Sequence, residues 1–196
     1  MLFTSNNDTG NEVSGGATSI VVAVCSSPKH GFSKQPKSSI RLLAGRGVEG
    51  DAHCGDTVQH LYLKRKDAHA PNRMQVHLLQ SELFDELALA DFALSPGQLG
   101  ENITTRGIDL LNLPIGMRLH LGPEAVVELT GLRTPCKQIE AFRPGLLKRL
   151  VSRDAANKAL AKAGVMAIVL QGGEVQQNNR IEVVYPAAPH LSLQMI

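Results

Sequence analysis

Eight short runs of aliphatic and β-branched residues, most of them bounded by Gly, Pro or Ser, limit what this chain can become. They are Ile20 to Cys25 (IVVAVC), Ser39 to Leu43 (SIRLL), Met74 to Leu79 (MQVHLL), Asn102 to Thr105 (NITT), Arg118 to Leu121 (RLHL), Ala125 to Thr130 (AVVELT), Val165 to Leu170 (VMAIVL) and Arg180 to Val184 (RIEVV). Runs of this length and composition read as strands, and Gly122-Pro123 reads as a hairpin turn between two of them. Residues 28–38, polar with Pro, Gly and Ser, read as a loop. Three helices are expected among the strands. One follows Ser81 as its cap, with Glu82 and Asp85 in its first turns and Leu83, Phe84 and Leu87 at helical spacing. The others are Gly145 to Val151 and Ala155 to Ala163, the second stopped by Gly164. The pattern predicts a mainly β fold, a barrel with inserted and C-terminal helices. Aromatic content is 4% with no Trp, so its core must be aliphatic.

The 196 residues suffice for one domain that buries about 70% of its unfolded surface without disulfide staples. Residues 1–18 are polar, lack the basic and apolar regions of a signal peptide, and read as a flexible tail ahead of a single domain over residues 19–196. Net charge is +2 and the charges are mixed, so no nucleic-acid partner is expected. Lys64-Arg65-Lys66, the densest basic cluster, reads as a solvated face. No apolar run approaches the roughly 20 residues of a membrane span, so no membrane partner is expected. Three cysteines, Cys25, Cys54 and Cys136, at wide spacing without CxxC argue for a reducing compartment and a cytoplasmic protein.

Cys136 carries the clearest chemical signal. Pro135 stiffens the backbone before it, while Arg133 and Lys137 place cations within a few residues of the sulfur. Nearby cations favour the thiolate, the form that attacks electrophiles or binds soft metals. The cysteine follows the Ala125 to Thr130 run and so lies on a loop leaving a rigid element. Gly47-Val48-Glu49-Gly50-Asp51-Ala52-His53 is a second constellation. Its glycines permit close approach of main-chain amides to an anion, and Asp51 and His53 share one side of an extended segment. It reads equally as a strand-joining turn whose Asp51 bonds its own backbone. Within Gly97 to Gly107, Asn102 offers both donor and acceptor groups suited to a heterocycle edge, or simply belongs to a polar surface loop. Arg73 and Arg133 are each shaped for bidentate binding of phosphate or carboxylate, or for a structural ion pair. The seven histidines show no HExxH, and a zinc site is weakly supported; His77 and His120, within strands, read as structural. No GxSxG nucleophile elbow is present. Cys25 ends an apolar run and reads as buried packing, whereas Cys54, beside His53, could line the same pocket.

Five stretches in this order resemble the MOSC domain family, named for the C-terminal domain of molybdenum cofactor sulfurases. They are Gly47–His53 (GVEGDAH), Arg73–Leu79 (RMQVHLL), Gly100–Thr104 (GENIT), Leu113–Leu119 (LPIGMRL) and Arg133–Gln138 (RTPCKQ). The resemblance implies a MOSC-type β-barrel that binds a molybdenum cofactor of the molybdopterin type. It makes Cys136 the molybdenum ligand or a carrier of sulfur. It also places Arg133, Thr134, Arg73, Gly50, Asp51, His53 and Asn102 around the cofactor. No pyridoxal-phosphate site is implied, because the sulfurase domain that holds one is absent from the resemblance.

Two functions follow from it. One is an oxidoreductase that reduces N-hydroxylated compounds, with Cys136 on molybdenum. Its electrons would come from a separate reductase partner, since no flavin, haem or iron–sulfur motif is present. The other is a non-catalytic carrier, in which Cys136 thiolate or persulfide delivers cofactor or sulfur to an accepting enzyme. A blander reading, a pterin- or phosphate-binding module with an incidental cysteine, and a homodimeric assembly are both compatible with the sequence.

Overall fold

A computed structural model describes residues 18–153 and 159–196, so the expected tail falls outside it except for Thr18. In chain order the strands are β1 (Ile20–Ser26), β2 (Gln35–Lys37), β3 (Ser39–Leu43), β4 (Gly47–Val48), β5 (Val76–Gln80), β6 (Ile103–Arg106), β7 (Arg118–Leu121), β8 (Ala125–Leu132), β9 (Val151–Arg153), β10 (Ala159–Ala161), β11 (Val165–Gln171), β12 (Gly173–Gln176) and β13 (Ile181–Val184). The helices are short: α1 (Leu61–Lys66), α2 (Glu82–Ala88), α3 (Lys137–Phe142) and α4 (Leu147–Leu150). The class is mainly β, as the sequence predicts.

Eight strands form one sheet in the order β13-β7-β8-β11-β5-β6-β1-β2, and β12-β3-β4 form a second. Within the large sheet every pairing is antiparallel except β5 with β6, which run parallel across the connection that holds α2. The expected barrel is not closed by a continuous ladder. β2 pairs only with the Val24–Ser26 end of β1. The other end of that edge meets the turn before β13 through the Ile20–Arg180 bridge. Three hydrogen bonds make this seam: Val21 N to Asn179 O (2.9 Å), Asn178 N to Val21 O (2.8 Å) and Ile181 N to Ser19 O (2.8 Å).

The main core is aliphatic, as expected. Val21, Val76, Leu78, Leu119, Val127 and Val165 are fully buried in it. Each such side chain contributes about 1.5–3 kcal/mol through burial of apolar surface. A second cluster gathers Leu83 and Leu87 of α2, Ile139 of α3 and Leu150 of α4 beneath Leu79 and Leu99. It anchors the two segments that carry the chemistry, the loop before β6 and the loop after β8.

Three local expectations are corrected. Residues 28–38 are not all loop, because β2 pairs there with β1. Ser81 sits at the start of α2 in a helical conformation without capping it; its hydroxyl instead accepts a hydrogen bond from Arg106 Nη1 at 3.1 Å. Of the two late helices only Leu147–Leu150 is helical, and Val151 already pairs with Ala161 in the β9–β10 hairpin. Over Ala159–Ala161 this pairing overrides the helix propensity of alanine; residues 154–158 lie outside the described residues.

Candidate functional site

Gly47 belongs to the β4 ladder at φ +105°, and a Cβ there would lie 2.6 Å from the Gln75 carbonyl oxygen, so only glycine fits. Gly50 turns the chain at φ +71°. That turn sends the Asp51 carboxylate inward, where only 2% of the side chain meets solvent. Asp51 Oδ2 accepts from Ser27 N (3.1 Å), Lys34 Nζ (2.5 Å) and Asn102 Nδ2 (3.1 Å). Oδ1 accepts from His53 N (3.0 Å) and contacts His53 Nδ1 at 3.2 Å. Burial alone would push this carboxyl up. The hydrogen bonds from His53 and the charge and hydrogen bond of Lys34 outweigh it and hold the group below the usual carboxylate range. Lys34, itself buried, is pushed down by desolvation and partly restored by Asp51. The turn reading of this segment is therefore met, since Asp51 bonds the backbone of its own turn, and the same carboxylate also ties that turn to the end of β1 and to the loop before β6.

Asn102 spends its side chain internally. Nδ2 donates to Cys25 O and Asp51 Oδ2, both at 3.1 Å, and Oδ1 accepts from His77 N at 3.2 Å. Both amide hydrogens are committed, so it offers no donor to a heterocycle edge. His77 is structural, as expected: fully buried, its Nε2 lies 2.8 Å from Ala163 O, and desolvation lowers its pKa to about 3.

The Cys136 loop leaves the rigid end of β8. Arg133 N donates to Gly164 O at 2.9 Å, and Cys136, in extended conformation, is the N-cap residue of α3. The thiol is partly exposed, and among the described residues its one hydrogen-bond contact is a 3.6 Å approach to Gln138 Oε1. Thr134 points away, its hydroxyl donating to Ile196 O at 2.8 Å. Arg133 is different. Its guanidinium lies 5.8 Å from the Phe32 ring centroid, and its Nη1 is buried with no hydrogen-bond partner among the described residues. Desolvation pushes the Arg133 pKa down, while Cys136 and Glu101 pull it back. Arg133 as a whole is half-buried, but a buried N–H without an acceptor is costly, and an anion is a partner that relieves it.

The histidines join the two loops. His30 and His53 stack edge to face with centroids 5.0 Å apart. His60 is pushed down first by burial and then by His53, Arg133 and His30, so these four basic groups share one neighbourhood. The structure thus brings together Cys136, Arg133, His53, Asp51 and Asn102. Arg73 stands apart: it is exposed and borders an apolar depression of about 260 Å³ with Val58, Leu63, Met74 and Ile196. Lys34, His60 and Glu101 were not singled out by the sequence reading. Glu101 had a signal, since it lies between Gly100 and Asn102 in a matched stretch, whereas nothing local marks Lys34. Among the described residues no three His, Cys, Asp or Glu side chains converge to hold a metal ion. A metal bound through Cys136 must bring its other ligands with it.

Solved structures with this fold support the architecture. The YuaD protein from Bacillus subtilis superposes with a TM-score of 0.70 at 22% identity, covering 87% of this chain and 98% of that one. YiiM from Geobacillus stearothermophilus gives 0.58 at 19% identity, covering 90% and 78%. YiiM from Escherichia coli gives 0.57 at 16% identity, covering 88% and 73%. No curated protein matches the sequence. The MOSC domain model matches residues 52–182, well over half of the sequence and including both the Asn102 and Cys136 segments, and the chain belongs to the MOSC domain family.

Proposed function

We propose that this protein binds a molybdenum cofactor of the molybdopterin type with Cys136 as the protein's metal ligand, and reduces N-hydroxylated compounds. The MOSC family is associated with that cofactor. The observation that carries the reading is the buried, unpartnered Arg133 Nη1 three residues before a partly exposed thiol. A pterin phosphate supplies the missing anion, and a soft sulfur suits a metal that arrives with its own dithiolene. Once bound, the cofactor would supply two-electron chemistry that removes the substrate's oxygen. The chain's own residues have separate tasks. Cys136 would hold the metal, Arg133 would neutralise the anionic end, and His30, His53 and His60 place imidazole groups near Arg133. Lys34 and Asn102 fix Asp51, which fixes the turn carrying His53. A separate reductase supplies electrons.

The test is molybdenum content per chain after purification from a cofactor-competent host, for the wild type and Cys136→Ala, followed by turnover of an N-hydroxylated purine with a chemical electron donor. Near-stoichiometric metal lost in the variant, with turnover, is the expected result. Metal without turnover of any N-hydroxylated base would replace the enzyme with a carrier. Wild-type protein without molybdenum would remove the reading altogether.

A further inference from the structure

Residues 191–196 have no part in the function above, yet they lie against the loop that carries Cys136. β7 covers one edge of β8 as far as Leu129, where Gly116 N donates to Leu129 O and Leu129 N to Met117 O, both at 2.9 Å. Past that point residues 191–196 take over the same edge. They enter just before β7, where Ile115 N donates to Leu191 O at 2.9 Å, and Leu193 buries its side chain in the main core. Leu132, paired on its other side with Val165 of β11, then donates from N to Gln194 O at 2.8 Å and accepts at O from Ile196 N at 3.1 Å. Thr134 continues the contact, its hydroxyl donating to Ile196 O at 2.8 Å.

Gly131 makes room for this contact. A Cβ there would lie 2.7 Å from Ile196 Cγ2 and 2.8 Å from Gln194 O. The glycine is needed for space and not for conformation, since its φ is outside the left-handed region. On the far side of the loop Cys136 O accepts from Ile139 N at 3.0 Å, and the Ile139 side chain is fully buried in the second cluster. Cys136 is thus suspended between two fixed points, Thr134 before it and Ile139 after it, with Pro135 fixing one dihedral between them.

We propose that residues 191–196 form a strap that positions the Cys136 loop for the cofactor, with Gly131 and Thr134 as its positioning residues. This rests on the reading of Cys136 as the metal ligand and adds what holds that ligand in place. A site on a loop is less precise than one on a strand, unless the surrounding shell locks it. The strap supplies that lock by carrying the main-chain pairing of β8 to Leu132 and a side-chain bond to Thr134, two residues from the sulfur. Thr134 then serves the cofactor through the loop and not by contact, because its hydroxyl is already spent on Ile196.

Two measurements test it on wild type, Gly131→Ala, Thr134→Val and Thr134→Ser: amide hydrogen exchange by NMR on the full chain, and the rate of molybdenum loss from cofactor-loaded protein. The amides of Leu132 and Ile196 report on the strap, and that of Ile139, bonded to Cys136 O, reports on the loop. Gly131→Ala is expected to speed exchange at all three about tenfold, as one or two main-chain hydrogen bonds are lost. Thr134→Val is expected to speed it about threefold, the loss of one exposed hydrogen bond, and Thr134→Ser to stay near wild type. Molybdenum loss should quicken in the same order. Faster exchange at Leu132 and Ile196 with Ile139 unchanged would mean the strap stabilises β8 alone, and the proposal is wrong. Faster metal loss in Thr134→Val without any change at the three amides would mean Thr134 touches the cofactor directly, which also overturns it. Should Gly131→Ala fail to fold, the contrast between Thr134→Val and Thr134→Ser decides. Wild-type protein without molybdenum removes the reading of Cys136, while the three amides still decide whether the strap holds the loop.

Discussion

Replacing Asp51 by Asn is the most informative single perturbation, because it removes one charge and leaves the shape. The side chains of Asp51 and Lys34 are only 2% and 6% exposed, so solvent screens their attraction little. Asn can present one oxygen. If that oxygen faces Ser27 N, Lys34 Nζ and Asn102 Nδ2, its NH₂ confronts His53 N–H, and the reverse placement confronts three donors. Lys34 then keeps a buried charge without its counter-charge, a loss of about 3–5 kcal/mol. The fold can evade this by releasing the Lys34 proton, which sets a ceiling. From an ordinary lysine value, deprotonation at pH 7 costs no more than about 5 kcal/mol. The expected loss is therefore about 3–5 kcal/mol, a large fraction of the roughly 5–15 kcal/mol a domain has in total. Urea denaturation with an unchanged m-value measures it. Two controls follow from the same geometry. Lys34→Met in the Asp51→Asn background should recover part of the loss. The penalty of Asp51→Asn should also shrink at alkaline pH as Lys34 gives up its proton. In the wild type the depressed Asp51 pKa contributes stability above the ordinary carboxylate range that is lost as pH falls toward its folded value; Asp51→Asn lacks that slope. A loss below about 1 kcal/mol, or a double variant no better than Asp51→Asn, would refute the assignment of Asp51 as a buried hub.

Gly97→Ala forces a Cβ to within 2.5 Å of Lys34 O and 2.9 Å of Cys25 Sγ at φ +85°, and should cost about 2–4 kcal/mol in the same titration. His77 is neutral in the fold, with a pKa lowered from 6.5 to about 3, so its contribution is whole above the unfolded value and declines as pH falls through that window; His77→Gln should flatten the stability profile there. Arg133→Met in the cofactor-free protein should leave the thermal midpoint unchanged or raised while abolishing sulfate binding, because a half-buried cation with a buried, unsatisfied Nη1 is replaced by an apolar side chain. A lowered midpoint would mean Arg133 has a structural partner. Cys136→Ala should change stability by no more than about 0.5 kcal/mol, since the thiol is partly exposed and makes one weak contact, while molybdenum content falls to background.

Strands were legible where side-chain pattern and backbone environment agree. Ser39–Leu43 alternates intermediate, buried, exposed, buried and intermediate positions, and the apolar Val165 to Val169 stretch is almost wholly buried between β5 and β8. The short elements were not, since β2 is three exposed residues held only by pairing with β1, and α1 buries none of its residues. Ala155 to Ala163 misled for a related reason: propensity is a local preference of a few tenths of a kcal/mol per residue, and pairing with β9 decides Ala159–Ala161.

The chain's own chemistry determined that Cys136 is a thiol on a loop after a strand, that Gly47 and Gly50 flank a tight turn, and that the core is aliphatic. These properties depend on residues adjacent in sequence. Only the tertiary structure decided which polar groups are satisfied. Asn102, a candidate recognition group by type, spends its donors on Cys25 and Asp51. Thr134 turns to Ile196, and Arg73 borders an apolar depression that Arg133 does not line. Lys34, with no local signal, becomes the buried counter-ion of Asp51. Burial multiplies the cost of an unpaired polar atom, and burial is created by contacts among β1, β5, β6 and β8 that lie far apart along the chain. That is why Arg133, read in sequence only by its type, emerges among the described residues as one of the few side chains with a buried polar atom still waiting for a partner.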